Sequence, residues 1–197
     1  MSGRVLITGA TSGIGRQLAH DYRRSGWQVW GCGRDGERLQ ALADEGLIPL
    51  QFDGRDSAAM AVIAADLPAL DLLILNAGNC EYMDLVEGFD GALFARVIET
   101  NLIATGHALA AFLPRLVSGS RLAIVGSSVS WLPLPRAEAY GASKAALDYL
   151  ADTLRLELAG KRIGVTLIRP GFVQTPLTDK NDFPMPCLVT VEEASRA

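Results

Sequence analysis

The feature of this sequence that most constrains its fold is a regular alternation of short apolar runs with longer amphipathic stretches. Runs rich in branched aliphatic residues indicate strands buried on both faces, and they lie at 4–9, 27–32, 47–52, 71–76, 121–126 and 164–169. Stretches with helical periodicity lie between them, at about 13–25, 36–45, 56–65, 92–117 and 138–160. This order predicts an α/β protein, with a doubly wound parallel sheet of six strands and helices on both faces.

Composition and charge narrow the class of partner. The chain has 197 residues, of which 49% are hydrophobic and 20% are charged. These values are typical of a soluble globular protein, and we predict a single domain over 1–197. The net charge is -4 and the basic residues are spread along the chain, which argues against nucleic acid or an anionic membrane surface and favours a small-molecule partner.

The sequence also bears on the compartment. The N-terminus has no charged region followed by an apolar signal region, and no apolar run reaches ~18 residues, so neither a leader nor a membrane span is predicted. The cysteines, Cys32, Cys80 and Cys187, are far apart and form no CxxC pair. We therefore expect neither a disulfide framework nor a metal site, and we predict a cytoplasmic protein.

A glycine-rich turn, "TGATSGIG", joins the first predicted strand to the first helix. Glycine in such a turn lets backbone N–H groups and the positive end of the helix approach a pyrophosphate. The spacing is G-x-x-x-G-x-G and differs from G-x-G-x-x-G, and a tight turn packed against the sheet is the alternative interpretation. The predicted nucleotide contacts in this turn are Gly9, Thr11, Ser12, Gly13, Ile14 and Gly15.

Five further motifs follow in chain order. They are "NAG" (76–78), Asn101 in "ETNLIATG", Ser127 in "AIVGSS", "YGASK" (140–144) and "RPGFVQT" (169–175). Together with the glycine-rich turn, and at this spacing, they resemble the short-chain dehydrogenase/reductase family over residues 4 to about 176. The resemblance implies a Rossmann-type sheet and an enzyme that uses a nicotinamide cofactor.

Tyr140 and Lys144 lie four residues apart and share one face of a predicted helix. A free tyrosine has a pKa near 10, and lowering that pKa by about three units needs roughly 4 kcal/mol of preference for the phenolate. A nearby ammonium group and the oxidised nicotinamide would both favour the phenolate. The resemblance implies that Tyr140 is the acid/base, that Lys144 also binds the nicotinamide ribose, and that Ser127 holds the substrate oxygen. It further implies that Asn101 holds a water in the proton path.

Ser128 is a lesser candidate than Ser127, because the distances along the chain from the preceding strand and from Tyr140 match the family's serine at 127. The stretch "GSSVS" also approaches the G-x-S-x-G elbow of α/β-hydrolases, with Ser128 as nucleophile. Ser130 replaces the last glycine of that elbow, "WLPLP" follows it, and no histidine lies downstream. These departures disfavour a hydrolase.

The end of the second predicted strand bears on the choice of cofactor. Gly33 stands where NAD-binding members carry an acidic residue. Arg34 follows, which resembles the NADP-preferring pattern because a guanidinium can bind the 2′-phosphate. Asp35 as a ribose ligand is the alternative, but it is better suited to cap the helix that begins near Gly36. By resemblance, the other cofactor contacts are Asp53 and Gly54 at the adenine, Asn76, Ala77 and Gly78 at its ribose, and Pro170, Gly171, Val173 and Thr175 towards the nicotinamide.

These features predict an NADP(H)-dependent oxidoreductase that interconverts a carbonyl compound and a secondary alcohol. A non-catalytic NADP(H)-binding sensor or scaffold is the alternative. The stretches 79–90 and 177–189 would cover the substrate, and their composition favours a hydrophobic carbonyl compound. Trp131 is expected to flank the mouth of the site. The helices at 93–116 and 145–158 are apolar beyond a single stripe, and the resemblance implies that they form the interface of a homodimer or homotetramer.

The last residues, "TVEEASRA", are typical of the start of a helix. Members of the resembled family usually continue through this helix to a seventh strand.

Overall fold

A computed structural model describes residues 3–84 and 86–196, and it contains the six predicted strands. They are β1 (Arg4–Thr8), β2 (Gln28–Gly33), β3 (Ile48–Gln51), β4 (Leu70–Leu75), β5 (Leu116–Val125) and β6 (Gly164–Ile168). All pairings are parallel, and the order across the sheet is β3-β2-β1-β4-β5-β6. The predicted doubly wound α/β fold is confirmed.

The helices pack on both faces of this sheet. They are α1 (Gly13–Arg24), α2 (Gly36–Asp44), α3 (Ser57–Ala65), α4 (Gly91–Ile98), α5 (Ala104–Phe112), α6 (Glu138–Ala159) and α7 (Val191–Arg196). The last of these confirms the helix expected near the C-terminal end. No helix within the described ranges is both long enough and apolar enough to cross a membrane.

Alternate residues of β1 enter two separate hydrophobic cores, as expected for a strand covered on both faces. Leu6 belongs to the core beneath α3, α5 and α6, which also contains Phe112. Val5 and Ile7 belong to the core beneath α1 and α2. All four side chains are fully buried, and burying each one stabilises the fold by about 1.5–3 kcal/mol.

Three helices begin at an aspartate whose side chain accepts a backbone N–H of the first turn, the usual role of an N-cap. Asp35 caps α2, Asp56 caps α3 and Asp90 caps α4. The carboxylate of Asp35 accepts the N–H of Arg38 at 3.1 Å. The cap predicted at Asp35 is therefore confirmed.

The helical stretch predicted over about 92–117 is confirmed over 91–115, but it is not one regular α-helix. A π-helical turn, Glu99–Ile103, separates α4 from α5, and a short 3-10 turn with Pro114 follows α5. Proline has no N–H to continue the helical hydrogen bonds. The strand β5 begins at Leu116, where 121 was predicted, because the Ser120 hydroxyl accepts Val117 N–H at 3.0 Å and donates to the Leu70 carbonyl at 2.7 Å.

The order of the strands determines where a ligand can bind. β1 and β4 are neighbours in the sheet, but the chain continues from β1 to β2 on one side of this pair and from β4 to β5 on the other side. Such a reversal leaves a crevice at the carboxyl ends of the strands. The glycine-rich turn after β1 and the "NAG" segment after β4 both lie at this edge.

Candidate active site

A cleft of about 510 Å³ lies over the carboxyl ends of the strands. It is lined by nearly all of the residues predicted to bind the cofactor or to act in catalysis. They are Gly9, Thr11, Ser12, Gly13, Ile14, Arg34, Asp53, Gly54, Asn76, Ala77, Gly78, Ser127, Tyr140, Lys144, Pro170, Gly171, Val173 and Thr175. Of the predicted site residues, Gly15 and Asn101 do not line the cleft.

The glycine-rich turn has a shape that only glycine readily adopts. Gly9 and Gly13 have φ angles of +67° and +53°, in the left-handed region that side chains disfavour. A Cβ on Gly15 would lie 2.4 Å from the carbonyl oxygen of Gly9 and from the side chain of Asn76. The tight-turn interpretation therefore describes Gly15, which packs the start of α1 against the turn, whereas Gly13 borders the cleft.

The first turn of α1 is open towards this cleft. Ser12 precedes the helix in an extended conformation, and its side chain makes no capping hydrogen bond. The N–H groups of the first turn carry the positive end of the helix dipole and need an acceptor. This helix end fits a pyrophosphate group.

Thr8 joins the ends of β1 and β4 and was missed in the sequence analysis. Its Oγ1 accepts the N–H of Asn76 at 2.9 Å and that of Ala77 at 3.1 Å. The Asn76 side chain donates in return to the Thr8 and Gly9 carbonyls, at 3.1 and 3.3 Å. The side-chain amide of Asn76 thus holds the turn in place. In the sequence, Thr8 could have been identified by its position directly before Gly9.

Three guanidinium groups line the end of the cleft near β2, those of Arg34, Arg38 and Arg55. The sequence analysis identified only the first of them. Arg38 pairs with Asp35 at 3.4 Å and Arg55 pairs with Asp53 at 2.6 Å. Hydrogen bonds from Arg55 lower the pKa of the Asp53 carboxyl to about 2. Arg34 has no ion-pair partner in the part of the chain that the structure describes.

Gly33 leaves no room for the acidic residue of the NAD-binding pattern. A Cβ at this position would lie 2.5 Å from Cγ2 of Thr11, in the glycine-rich turn. The end of β2 therefore packs directly against that turn, and the Arg34 side chain is the first one available to a ligand there.

Helix α6 carries the predicted acid/base pair. The phenol of Tyr140 is partly accessible from the cleft, whereas Lys144 is only 4% exposed. The ammonium of Lys144 donates to the Val125 carbonyl at 2.8 Å and lies 5.7 Å from the centre of the Tyr140 ring. Both groups line the cleft beside Ser127.

The electrostatics of this pair differ from the sequence-based expectation. Burial raises the pKa of Tyr140 to about 12, and interaction with the Ser127 hydroxyl opposes this rise. Burial also lowers the pKa of Lys144 to about 8. In the protein by itself, poor solvation outweighs the attraction between phenolate and ammonium. The predicted lowering of the Tyr140 pKa therefore does not come from Lys144 alone.

Ser127 lies directly after β5 and is buried at the wall of the cleft. Its Oγ accepts the N–H of Val129 at 3.3 Å. Ser128 is exposed and does not line the cleft, which favours Ser127 as the functional serine. A 3-10 turn, Ser128–Ser130, follows it, and not the helix that a hydrolase elbow requires.

Asn101 lies one layer behind the cleft, in the π-helical turn, and is fully buried. Its Oδ1 accepts the N–H of Asn79 at 2.8 Å. Its Nδ2 donates to the Asn79 carbonyl and to Ser143 Oγ, both at 2.9 Å. The side chain of Asn101 therefore joins α6 to the segment after β4, and its role in holding a water stays a prediction.

The far end of the cleft is bounded by two loops that contact each other. Tyr82 donates its hydroxyl to Oδ1 of Asn181 at 2.8 Å and packs edge-on against Phe183. Arg136 pairs with Asp84 at 2.6 Å and with Asp182 at 2.8 Å. These contacts hold the segment after β4 against the segment after β6.

Trp131, which was expected to flank the mouth of the site, stacks against Arg169. Its indole is exposed and lies under the guanidinium of Arg169, with 4.4 Å between the Arg169 Cζ and the ring centre. Trp131 is not among the residues that line the cleft.

Across the described ranges 3–84 and 86–196, the structure has no cluster of three or more His, Cys, Asp or Glu side chains able to hold a metal ion.

The chain is similar to known proteins over most of its length. A family model described as short chain dehydrogenase matches residues 4–184. An oxidoreductase of Myxococcus xanthus is 36% identical over 208 residues, covering 96% of this chain and 79% of that protein. A sulfoacetaldehyde reductase of Chromohalobacter salexigens is 35% identical, covering 90% of this chain and 75% of that protein.

Solved structures show the same fold. A short chain dehydrogenase from Burkholderia cenocepacia, in complex with NADP, superposes with a TM-score of 0.90 at 28% identity. The match covers 100% of this chain and 82% of the other. The family model, the relatives and the shared fold establish that this chain belongs to the short-chain dehydrogenase family.

Proposed function

We propose that this protein is an NADP(H)-dependent oxidoreductase that interconverts a carbonyl compound and a secondary alcohol, with Tyr140 as the acid/base. The observation that carries the proposal is the meeting of Tyr140, Lys144 and Ser127 with the glycine-rich turn in one cleft. A proton carrier, a cation and a hydroxyl donor beside a nucleotide site are the groups that such a reaction needs.

The cleft residues fit NADP(H). The open N-terminus of α1 suits the pyrophosphate, and Arg34, with Arg38 beside it, suits the 2′-phosphate. Gly33 keeps a carboxylate away from that phosphate. When bound, the cofactor supplies or accepts the hydride at the substrate carbon. The Burkholderia relative holds NADP in the same fold, which supports this assignment.

The protein's own groups provide the proton. At neutral pH Tyr140 is protonated, so it has a proton to give to a substrate oxygen during reduction. The pKa of about 12 in the protein by itself makes it a weak donor, and positive charge beside the phenol must lower that pKa for efficient transfer. Ser127 hydrogen-bonds the same oxygen and orients it. In the oxidation direction the phenolate must form, and the ammonium of Lys144 supports it together with the positive charge of the oxidised nicotinamide.

A non-catalytic sensor or scaffold is the less favoured function. Lys144 could serve the ribose of the cofactor without any reaction, but binding alone does not require a phenol and a serine hydroxyl beside it. Tyr140, Lys144 and Ser127 are needed together only if a proton moves, so we place catalysis first.

The substrate is proposed to be a small carbonyl compound. The Chromohalobacter relative is named for sulfoacetaldehyde, so short aldehydes with an acidic group belong in the first arm of a screen. The apolar composition of 79–90 and 177–189 makes hydrophobic ketones the second arm. Oxidation of NADPH, followed by its absorbance, identifies the active compounds.

The test of the mechanism uses the best compound from that screen. Tyr140→Phe keeps the ring and removes the proton, so we expect NADPH affinity to persist while turnover falls by about 10²- to 10⁴-fold. Tyr22→Phe is the matched control. Tyr22 lies on α1, packs against Trp27 and does not line the cleft. Near-parental turnover in Tyr140→Phe would refute the proposed role.

Self-association is proposed through the helices at 93–116 and 145–158. On α6, Tyr149 and Leu156 are 79% and 80% exposed, and Ile103 between α4 and α5 is also exposed. Exposed large apolar side chains on two elements that pack together favour a self-complementary contact. A homodimer needs only this patch, and a homotetramer needs a second one.

A further inference from the structure

Asp148 lies two helical turns beyond Tyr140 on the same face of α6, at the spacing 140, 144, 148. Its side chain is only 15% exposed and does not line the cleft. One carboxylate oxygen, Oδ2, accepts hydrogen bonds from Ser130 Oγ at 2.7 Å and from Arg169 Nε at 2.8 Å. The other, Oδ1, is buried without a hydrogen-bond partner among the described residues. Holding a carboxylate in this state costs free energy.

The partners of Asp148 belong to the two segments that shape the reactive end of the cleft. Ser130 ends the 3-10 turn after Ser127, and its hydroxyl also lies 2.8 Å from the Ser127 carbonyl. Arg169 follows β6 and directly precedes Pro170, whose carbonyl accepts the N–H of Ser128 at 3.0 Å. One carboxylate therefore joins the serine turn, the loop after β6 and the helix that carries the acid/base.

Asp148 is also coupled to Lys144 through the end of β5. The ammonium of Lys144 donates to the Val125 carbonyl at 2.8 Å. A Cβ on the next residue, Gly126, would lie 3.2 Å from Asp148 Oδ1, so the two charged groups lie beside adjacent residues at the end of β5. Burial lowers the pKa of Lys144, and the charges of Cys80 and Asp148 act against this.

We propose that Asp148 is a positioning residue of the active site, which acts through Ser127 and Lys144 and touches neither substrate nor cofactor. The inference rests on the proposed function, in which those two residues and Tyr140 carry out the chemistry. Its carboxylate fixes the distance between the serine turn and α6, and it supplies the negative charge behind the buried ammonium. Arg169 balances that charge from the opposite side.

The charge arrangement yields a test that does not depend on turnover. Asp148→Asn keeps the shape but removes the negative charge and leaves Arg169 unpaired, so the pKa of Lys144 is expected to fall. Arg169→Gln leaves the carboxylate unpaired, so the pKa of Lys144 is expected to rise. If the two substitutions acted only by disturbing the packing, the pKa of Lys144 would not be expected to shift in opposite directions in the two variants.

The measurement is favoured by the small number of lysines, which are Lys144, Lys161 and Lys180. Protein labelled with ¹³C-lysine gives three side-chain signals, which Lys161→Arg and Lys180→Arg assign. The ¹³Cε shift of Lys144 is then followed against pH. The groups that face this ammonium are Tyr140 and Asp148 on α6 and Cys80 after β4, so Tyr140→Phe and Cys80→Ser are titrated in parallel to separate their effects.

The matched control is Asp152→Asn. Asp152 lies one turn further along α6 and pairs with Arg155 in an exposed position. Its loss should leave the Lys144 titration and the turnover at parental values. Ser130→Ala removes the bridge to the serine turn without changing any charge, so it should lower turnover but leave the Lys144 titration unchanged.

Turnover with the best compound from the screen is the second readout. We expect Asp148→Asn to lower kcat by about 10- to 100-fold, the effect of misplacing catalytic groups by a fraction of an ångström to an ångström, with little change in NADPH affinity. An Asp148→Asn variant that matches Asp152→Asn in Lys144 titration overturns the inference. Shifts of the same sign in Asp148→Asn and Arg169→Gln overturn it as well. Failure of the proposed function is distinct, because it appears as unchanged turnover in Tyr140→Phe while the Lys144 titration still reports on Asp148.

Discussion

Arg34→Ala is expected to remove most of the preference of this protein for NADPH over NADH. Three guanidinium groups line the end of the cleft, but they are not equivalent. Arg38 and Arg55 pair with the carboxylates of Asp35 and Asp53, which compensate much of their charge. Arg34 has no ion-pair partner within the residues described, so its guanidinium can pair with a 2′-phosphate without breaking an existing ion pair.

The magnitude follows from this difference. A hydrogen bond to a charged group contributes about 1.5–3 kcal/mol, which corresponds to a roughly 10- to 150-fold change in affinity. Arg34→Ala should weaken NADPH binding by this factor and leave NADH binding nearly unchanged. Arg38→Ala should weaken NADPH binding less, because Arg38 is already paired with Asp35 and contributes less to binding the phosphate.

Fluorescence quenching by the two cofactors measures these affinities, and the titrations should be repeated at high salt, which screens exposed charges. Arg24→Ala is a suitable control, because Arg24 pairs with Asp21 at the far end of α1. Equal affinity of the parent protein for NADPH and NADH would refute the reasoning. So would an Arg34→Ala variant that loses affinity for both cofactors equally.

Three other predictions concern stability, packing and assembly. Burial lowers the pKa of Lys144 from 10.5 to about 8. Below pH 8 the buried ammonium therefore lowers the free energy of unfolding, and this loss of stability disappears as the pH rises from 8 towards 10.5, the pKa of the unfolded state. Lys144→Met should therefore raise the free energy of unfolding in urea at pH 7 by up to about 3 kcal/mol, with a smaller gain at pH 10 and no turnover; lower stability at pH 7 would contradict this. Gly33→Ala should lower the free energy of unfolding by about 1–3 kcal/mol, because the added methyl group overpacks against Thr11. Adding Thr11→Ser removes the clashing methyl group and should restore stability and NADPH affinity. Sedimentation at micromolar concentration should show an oligomer that Tyr149→Glu with Leu156→Glu dissociates; a monomeric parent protein would exclude the proposed interface.

The sequence was sufficient wherever the deciding signal is local. Six apolar runs at strand length, separated by helical periodicity, leave few arrangements besides a doubly wound parallel sheet, since parallel strands need crossover helices. The spacing of Tyr140 and Lys144 places them on one face of a helix whatever that helix packs against. Gly33 and Arg34 were identified for the same reason, because the end of a buried strand is recognisable from its composition.

Only the tertiary structure decided the features that depend on residues far apart in the chain. The early start of β5 depends on the hydrogen bond between Ser120 and Leu70, and the position of Asn101 behind the cleft depends on Asn79, 22 residues away. The raised pKa of Tyr140 in the protein by itself could not be predicted from helical spacing, because spacing shows which cation is near but not how much water is excluded around both groups. A pKa reflects the sum of solvation and all neighbouring charges, and that sum exists only once β5, β6 and α6 have packed together.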